Sequence, residues 1–370
     1  MKKISILVKP SSSKCNMNCS YCFYEDVSNH RQIKDYGFMK RETMQKLINQ
    51  ALSFVDEGMI HFAFQGGEPT LIGLDYFEEF IHYVNKKKKN QIITYSIQTN
   101  GTTLDDLWIK FLKENHFLVG VSIDGEQSHH DCFRPYHSNK GTHEDIMKNV
   151  EKLLNHGVQT NVLTVLNNDL ADRIEETYAF FKNHNLNHMQ FIPQIDDFNR
   201  SLSNKSLDNE HYLKFLKKSF DLWIDDIHHG NFTSIRYFDN MLLIYLGYEP
   251  ESCDLKGVCS IQNVIESDGS IYPCDFYVTD PYKLGNIFEQ TFENVHQSKI
   301  AKSFIDESLI RNDECYQCPW FKLCRTGCKR RRDASHKDIH CEVYKNFFTY
   351  ADQSFLELAK KIESGYTIKS

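Results

Sequence analysis

The chain has 370 residues, of which 41% are hydrophobic and 25% are charged, and its formal net charge is -7. Such a composition is typical of a globular protein, and the length favours one large domain and one smaller one. The negative charge argues against nucleic-acid binding. The first ten residues, MKKISILVKP, contain too few apolar residues for a signal peptide. No apolar run approaches the roughly 20 residues of a membrane span. We therefore expect a cytoplasmic protein that binds neither nucleic acid nor membrane.

Apolar runs alternate with helix-like stretches through the first two thirds of the chain. Strands are predicted at 4–10, 60–69, 93–101, 117–125, 159–167 and 188–194. Helices are predicted at 41–56, 74–89, 104–115, 143–156, 170–184 and 208–229. Strands separated by helices are typical of parallel β-α units. Because six units are too few for a closed eight-stranded barrel, the sequence predicts an α/β fold built as a partial (β/α)6 barrel.

Polar residues and glycines directly follow three of the predicted strands, in QGGEP, QTNG and SIDG. In barrels of parallel strands, the active site forms at the carboxyl ends of the strands. The stretch SSSKCNMNCSYCFY (11–24) also follows a predicted strand, so we expect it on the same face. Each glycine turn taken alone is equally well explained as an ordinary tight turn.

The 12 cysteines are unevenly distributed. Cys15, Cys19 and Cys22 lie within one short loop, eight more lie in the last third of the chain, and Cys132 stands alone as an ordinary thiol. In a reducing cytoplasm such clusters indicate metal sites rather than disulfides. Three thiolates on a 4Fe-4S cluster leave one iron open, as metal sites that perform chemistry do. A zinc knuckle is the alternative for this loop.

The pattern changes at about residue 250. ESDGSIYPCDFY (266–277) predicts a β-hairpin around an Asp-Gly turn, and the cysteine-rich DECYQCPWFKLCRTGCKRRRD follows it. The eight C-terminal cysteines fit two fully ligated 4Fe-4S clusters, with two zinc sites as the alternative. We expect three regions: the barrel at 1–235, a cysteine-rich domain at 236–350, and a C-terminal helix and tail at 351–370.

The spacing C-x3-C-x2-C, followed by aromatic residues and β-α units, resembles the radical S-adenosylmethionine enzymes. The resemblance implies a 4Fe-4S cluster on Cys15, Cys19 and Cys22, with S-adenosyl-L-methionine (SAM) on the open iron. It implies cleavage of SAM to a 5'-deoxyadenosyl radical, which removes a substrate hydrogen. In that family the GGEP turn, including its Glu side chain, holds the methionine amine, and an Arg pairs with the carboxylate. The implied cofactor contacts here are Tyr21, Gly66, Gly67, Glu68, Gln98, Ser122, Asp124 and Arg134.

The C-terminal cysteines resemble the SPASM extension of radical SAM enzymes, which carries auxiliary iron–sulfur clusters. The resemblance implies two auxiliary 4Fe-4S clusters and therefore three clusters in all. The first set of ligands is Cys253, Cys259, Cys274 and Cys328, and the second is Cys315, Cys318, Cys324 and Cys341.

Long stretches resemble the anaerobic sulfatase-maturating enzymes: KPSSSKCNMNCSYCFY, FAFQGGEPTL, SIQTNGT, FLVGVSIDG, SIRYFD and ESDGSIYPCDFYV. The resemblance implies oxidation of a cysteine or serine side chain in a sulfatase polypeptide to Cα-formylglycine. It implies removal of a Cβ hydrogen, Asp275 as general base, and loss of an electron to an auxiliary cluster. The expected peptide-site residues are Tyr24, Gln65, Arg236 and Tyr237. A low-potential electron donor such as flavodoxin or ferredoxin and a monomeric state are also expected.

Two other functions stay open. One is a SPASM-type radical maturase that crosslinks or epimerises a small ribosomal peptide. Such maturases often carry an N-terminal peptide-binding extension, for which we expect no room before Cys15. The other is an iron–sulfur electron carrier or scaffold, which would need neither the GGEP turn nor a barrel.

Overall fold

The computed structural model describes residues 2–198 and 207–366. The strands are β1 (Lys2–Val8), β2 (Gly58–Phe64), β3 (Ile92–Thr99), β4 (Leu118–Ser122), β5 (Thr160–Leu166), β6 (His188–Pro193), β7 (Ser234–Ile235), β8 (Val264–Ile265), β9 (Ser270–Tyr272) and β10 (Gly285–Asn286). The helices are α1 (Phe23–Asn29), α2 (Arg41–Phe54), α3 (Leu74–Lys87), α4 (Asp106–Glu114), α5 (Gln127–Phe133), α6 (His143–Asn155), α7 (Asn168–Asp172), α8 (Ile174–Asn183), α9 (Asn209–His228), α10 (Arg236–Tyr245), α11 (Phe292–Gln297), α12 (Lys299–Leu309), α13 (Phe321–Cys324) and α14 (Cys341–Glu363).

The alternation of strands and helices confirms the predicted α/β class, and each of the six predicted strands is present with bounds that differ by a few residues. The predicted helix 170–184 is instead two helices, α7 and α8, separated at Arg173. At the C-terminal end, α14 extends to Glu363, and Leu358 and Ala359 are buried. Residues 367–370 of the predicted helix and tail lie outside the described residues. The sequence did not predict α1, α5 or α10.

The chain forms two compact units, each assembled from separate segments. The first comprises Met1–Ser122, His130–Thr160 and Ser260–Ile305, and the second comprises Ile123–His129, Asn161–Cys259 and Asp306–Ser370. The domain boundaries expected at 235 and 350 stay predictions.

The first unit contains a sheet with the strand order β10-β9-β8-β1-β2-β3-β4. Strands β1 to β4 are parallel, and β1 is also parallel to β8. The predicted hairpin forms as the antiparallel pair β8 and β9 around Gly269, two residues earlier than expected. Because β1 to β4 run in one direction, their carboxyl ends and the loops that follow them lie along one edge of the sheet.

A cluster of phenylalanines forms the core beneath that edge. The Phe64 ring, on the last residue of β2, lies 4.8 Å from the Phe77 ring, 5.0 Å from Phe80 and 6.1 Å from Phe117, centroid to centroid. Alternate residues of β2 are buried, which is the period of a strand packed on one face by helices. The core therefore anchors the strand end from which the glycine turn begins.

The second unit contains the parallel strands β5, β6 and β7 and the long helices α9 and α14. Phe220 and Trp223 on α9 pack against Phe238 on α10 and against Phe355 on α14. In the part of the chain that the structure describes, no helix combines the length and apolar character needed to cross a bilayer.

Replacing Phe64 by alanine should lower the free energy of unfolding by about 3–5 kcal/mol, because a buried aromatic ring leaves a cavity that its neighbours fill only partly. Urea denaturation of the purified protein measures this loss. Leu107→Ala is the matched control, since Leu107 is 66% exposed, and it should change the free energy by less than about 0.5 kcal/mol. Equal effects of the two substitutions would show that Phe64 is not a core residue.

Candidate active site

The cysteine loop lies between β1 and α1 and is held on one side by the glycine turn after β2. The Gly67 amide donates to the Ser12 carbonyl at 2.9 Å, and the Glu68 amide donates to the Lys14 carbonyl at 2.7 Å. These two backbone bonds tie the residues just before Cys15 to the end of the neighbouring strand. The polar strand ends that the sequence predicted on one face are therefore directly connected in the first unit.

Both glycines are required by the closeness of this contact. A Cβ atom on Gly67 would lie 2.1 Å from the Lys14 carbonyl oxygen, and one on Gly66 would lie 2.9 Å from the Ser12 carbonyl oxygen. Gly66 also has a φ of 131°, a backbone conformation that residues with a Cβ atom rarely adopt. The turn thus needs glycine because two backbones meet without room for a side chain.

The opposite side of the cysteine loop is held by the segment that follows α5. The Asn18 amide donates to the Pro135 carbonyl at 2.8 Å, and the Ser20 amide donates to the Phe133 carbonyl at 3.0 Å. The loop is therefore fixed from two sides by backbone hydrogen bonds, which is the precision that a cluster site needs.

The thiols of the loop are largely buried. Burial raises the pKa of the Cys15 thiol to about 12, and burial also raises the pKa of Cys22. For Cys22, the amides of Glu25 and Tyr24 and the Arg134 charge partly oppose that rise. Thiols of this kind bind metal as thiolates and release their protons when they do so. The donor set therefore fits an iron–sulfur cluster, whose irons would replace the buried protons.

Two pairs of predicted cofactor contacts come together in the first unit. Arg134 Nη1 donates to the Tyr21 hydroxyl at 2.9 Å, and the Arg134 charge acts on the Cys22 thiol. Gln98 Nε2 donates to the Ser122 hydroxyl at 3.0 Å, which joins the ends of β3 and β4. These four residues line the same edge as the cysteine loop.

Two other predicted cofactor contacts are buried instead. The Glu68 carboxylate has no exposed surface and accepts from the Thr70 and Asn100 amides and from the Thr70 and Thr99 hydroxyls. Asp124, in the second unit, is also fully buried and accepts from the Val165 amide at 3.1 Å. Both carboxylates are thus held by other groups of the protein, and a contact of Glu68 or Asp124 with SAM stays a prediction.

Asp275 lies in a short 3-10 turn directly after Cys274, and two residues predicted to line the peptide site converge on it. The Tyr24 hydroxyl donates to Asp275 Oδ2 at 2.6 Å, and Gln65 Nε2 approaches the same oxygen at 3.3 Å. Burial, followed by the charge of Asp275, raises the pKa of Tyr24 well above its usual value. Tyr24 therefore stays protonated and acts as a donor.

Lys9, which the sequence did not predict as a site residue, is a further partner of Asp275. Lys9 Nζ lies 2.9 Å from Asp275 Oδ1, and Lys9 is only 2% exposed. The same ammonium lies 4.5 Å from the centroid of the Tyr24 ring, within cation–π range. The sequence did give one indication that Lys9 belongs to the site. Lys9 directly follows β1, and polar residues also follow the other strands.

A second buried ion pair adjoins the first. Arg31 Nη1 donates to Glu266 Oε1 at 2.6 Å, and Lys9 Nζ lies 4.0 Å from the same oxygen. Arg31 also donates to the Lys34 carbonyl at 2.7 Å. Two cations and two carboxylates thus share one buried site, because a buried charge is tolerated only when it is paired.

The remaining peptide-site predictions fall in the second unit, at the start of α10. Arg236 is exposed and donates to Gln190 Oε1 at 3.1 Å. The Tyr237 hydroxyl is buried, with no hydrogen-bond partner in the described residues. Its ring packs against Phe238 and Phe347. The roles of Arg236 and Tyr237 in binding a peptide stay predictions.

The first predicted set of auxiliary ligands is divided between the units. In the second unit, the charges of Cys259 and Cys328 act on the Cys253 thiol, and burial raises the pKa of Cys253 to about 11. Cys274 belongs to the first unit and follows β9. The three thiols of the second unit are therefore neighbours, as the predicted set requires.

The second predicted set lies wholly within the second unit. The charges of Cys341 and Cys315 act on the Cys324 thiol, and that of Cys318 acts on Cys315. Burial raises the pKa of Cys324 to about 12. In residues 2–198 and 207–366, no three His, Cys, Asp or Glu side chains are arranged to hold a single metal ion, whereas each thiolate of a 4Fe-4S cluster binds a different iron.

Comparisons with known proteins agree with this arrangement. Residues 10–181 match the Radical SAM superfamily, and residues 253–319 match SPASM, an iron-sulfur cluster-binding domain. The cysteine-type anaerobic sulfatase-maturating enzyme of Clostridium novyi (strain NT) is 46% identical over 356 residues, covering 94% of this chain and 95% of that protein. The chain belongs to the anaerobic sulfatase-maturating enzymes.

Further members of this family agree in sequence and in structure. The cysteine-type enzyme of Clostridium perfringens (strain 13 / Type A) is 40% identical over 371 residues, 98% of this chain and 100% of that protein. The solved structure of native anSMEcpe with bound AdoMet and the Kp18Cys peptide has a TM-score of 0.92 at 38% identity, covering 97% of this chain and 100% of that chain. The predicted family, the radical SAM fold and the SPASM domain are confirmed.

Replacing Gly67 by alanine should disturb the cysteine loop, because the new Cβ would meet the Lys14 carbonyl at 2.1 Å. We expect the reduced variant to lose most of the change that SAM causes in the electron paramagnetic resonance spectrum of the N-terminal cluster. Gly37→Ala is the control: its new Cβ would meet no heavy atom within 4 Å, although Gly37, unlike Gly67, has a positive φ. An unaltered spectral response in Gly67→Ala would show that the turn does not position the loop.

Proposed function

We propose that this protein oxidises a cysteine side chain of a sulfatase polypeptide to Cα-formylglycine by radical SAM chemistry. The observation that carries the proposal is the buried Asp275 carboxylate, held by Tyr24, Gln65 and Lys9 in the unit that contains the cysteine loop. Family membership supports the same reaction. A bare electron carrier would have no use for such a carboxylate.

The residues that would hold the cofactors follow from the site. Cys15, Cys19 and Cys22 would bind the first 4Fe-4S cluster, and the two C-terminal cysteine sets would bind one auxiliary cluster each. The backbone of Gly66 and Gly67, the Gln98–Ser122 pair and the Tyr21–Arg134 pair would contact SAM. When bound, the cluster and SAM supply a 5'-deoxyadenosyl radical that takes a hydrogen atom from the substrate Cβ.

Asp275 would act as the general base. After the Cβ hydrogen is lost, the substrate thiol must give up its proton, and a carboxylate within hydrogen-bond reach can accept it. An auxiliary cluster held by the C-terminal cysteines would supply the acceptor for the remaining electron. Water would then convert the thioaldehyde to the aldehyde and release hydrogen sulfide. Tyr24 and Gln65 both donate to Oδ2, so they fix the direction in which that oxygen points. Because both side chains contact the proposed base, we also propose that they line the peptide site.

We propose cysteine rather than serine as the substrate residue. The C. novyi and C. perfringens relatives at 46% and 40% identity are both of the cysteine type. The solved anSMEcpe structure holds a peptide named Kp18Cys.

We also propose a monomeric, cytoplasmic enzyme that receives electrons from a low-potential donor such as flavodoxin or ferredoxin. The clustered cysteines support this location, because clusters of this kind bind metal rather than form disulfides in a reducing compartment.

Incubating the reduced, cluster-loaded protein with SAM and a sulfatase-type peptide containing Cys-x-Pro-x-Arg tests the function. We expect 5'-deoxyadenosine and a peptide whose mass corresponds to conversion of the cysteine CH2SH group to an aldehyde CHO group. The matched peptide with serine at that position should react more slowly. A peptide that is crosslinked or epimerised instead would contradict the proposal, and so would an unchanged peptide.

Replacing Asp275 by asparagine should lower formation of the aldehyde by about 100-fold or more, since general base catalysis contributes about 10²–10⁴-fold. The amide keeps the size of the side chain but cannot accept the thiol proton. Mass spectrometry of the peptide and chromatography of 5'-deoxyadenosine measure the two products separately. Turnover as fast as that of the wild-type protein would exclude Asp275 as the base.

A further inference from the structure

The Lys9 ammonium group is buried, and its contacts are more specific than the stability of the fold requires. It is 2% exposed, at the carboxyl end of β1, and lies 2.9 Å from Asp275 Oδ1. Its side-chain stem packs against the glycine turn, because a Cβ on Gly66 would lie 3.4 Å from Lys9 Cβ and Cγ. Burying an ammonium is costly unless a counter-charge meets it, so this contact requires a reason.

The charges around Lys9 show which carboxylate it serves. Glu266 lies 2.6 Å from Arg31 but 4.0 Å from Lys9, so Arg31 is its principal counter-charge. The cation paired with Asp275 is Lys9, whose Nζ lies 2.9 Å from Asp275 Oδ1. The four groups together carry no net charge, and Lys9 is the member that stabilises Asp275.

The two oxygens of Asp275 have different partners. Oδ1 faces the Lys9 ammonium, whereas Oδ2 accepts from the Tyr24 hydroxyl and approaches the Gln65 amide. A carboxylate held at one oxygen by a cation cannot rotate freely. Lys9 therefore fixes which oxygen is presented on the side of Tyr24 and Gln65.

We propose that Lys9 is a positioning residue of the oxidation: it orients the Asp275 carboxylate so that Oδ2 receives the proton of the substrate thiol. This inference rests on the proposed function, in which Asp275 is the base. Lys9 contacts neither substrate nor cofactor in this role. Its effect is confined to the proton transfer that follows removal of the Cβ hydrogen.

A consequence separates this role from a purely structural one. Removal of the Cβ hydrogen does not use Asp275, but completion of the product does. Losing Lys9 should therefore uncouple the two products, so that 5'-deoxyadenosine still forms while aldehyde peptide falls. A residue that only stabilised the fold would lower both products together and leave their ratio unchanged.

The test compares Lys9→Met, Lys9→Arg and Lys2→Met in the cluster-loaded full chain. Methionine keeps the length of lysine without its charge, and arginine keeps the charge. Lys2 is the matched control, because it lies on the same strand but is half exposed and pairs with Glu293 at 3.6 Å. We measure 5'-deoxyadenosine, aldehyde peptide and the dissociation constant of the cysteine peptide.

We expect Lys9→Met to raise the ratio of 5'-deoxyadenosine to aldehyde peptide about 10-fold or more, within the range of general base catalysis, with peptide binding unchanged. Lys9→Arg should restore part of the coupling, and Lys2→Met should match the wild-type protein. An unchanged ratio in Lys9→Met, whether both products persist or fall together, overturns the role of Lys9. If the wild-type protein itself forms no aldehyde, the proposed function fails instead.

Discussion

The two backbone hydrogen bonds from Gly67 and Glu68 to the carbonyls of Ser12 and Lys14 connect the cysteine loop to the parallel sheet. They form only because glycine lets the two backbones approach, and they are reinforced by the buried Glu68 carboxylate. That carboxylate accepts from Thr99 and from the Asn100 amide, at the end of the next strand. The ends of the three neighbouring strands β1, β2 and β3 are thereby connected by hydrogen bonds.

A second constraint is the low dielectric environment around Asp275. Charges in such a site interact more strongly than they do in water, and they cannot be left unpaired. The Lys9–Asp275 and Arg31–Glu266 pairs meet this requirement within one unit of the chain. The buried Asp275 carboxylate therefore has its counter-charge beside it. This carboxylate and the loop with the thiols lie in the same unit, as the proposed coupling of radical chemistry to proton transfer requires.

Much of this could be predicted from the sequence, and the reasons differ between residues. The strands follow from apolar runs, and the cysteine spacing predicts the cluster ligands. The buried contacts of Glu68 could not be predicted, because a GGEP turn does not reveal which groups of the protein its carboxylate meets. Lys9 was missed because its partners, Asp275 and Glu266, lie far along the chain. Without them, a lysine before a proline is indistinguishable from a surface residue.

The most direct test of the account is the origin of the hydrogen atom that reaches 5'-deoxyadenosine. The substrate is a sulfatase-type peptide whose reacting cysteine carries deuterium at Cβ, incubated with the reduced protein and SAM. The account predicts that 5'-deoxyadenosine gains one deuterium and that the aldehyde carbon of the peptide keeps the other. Deuterium-free 5'-deoxyadenosine, or deuterium transfer only from a peptide labelled at Cα, would contradict it.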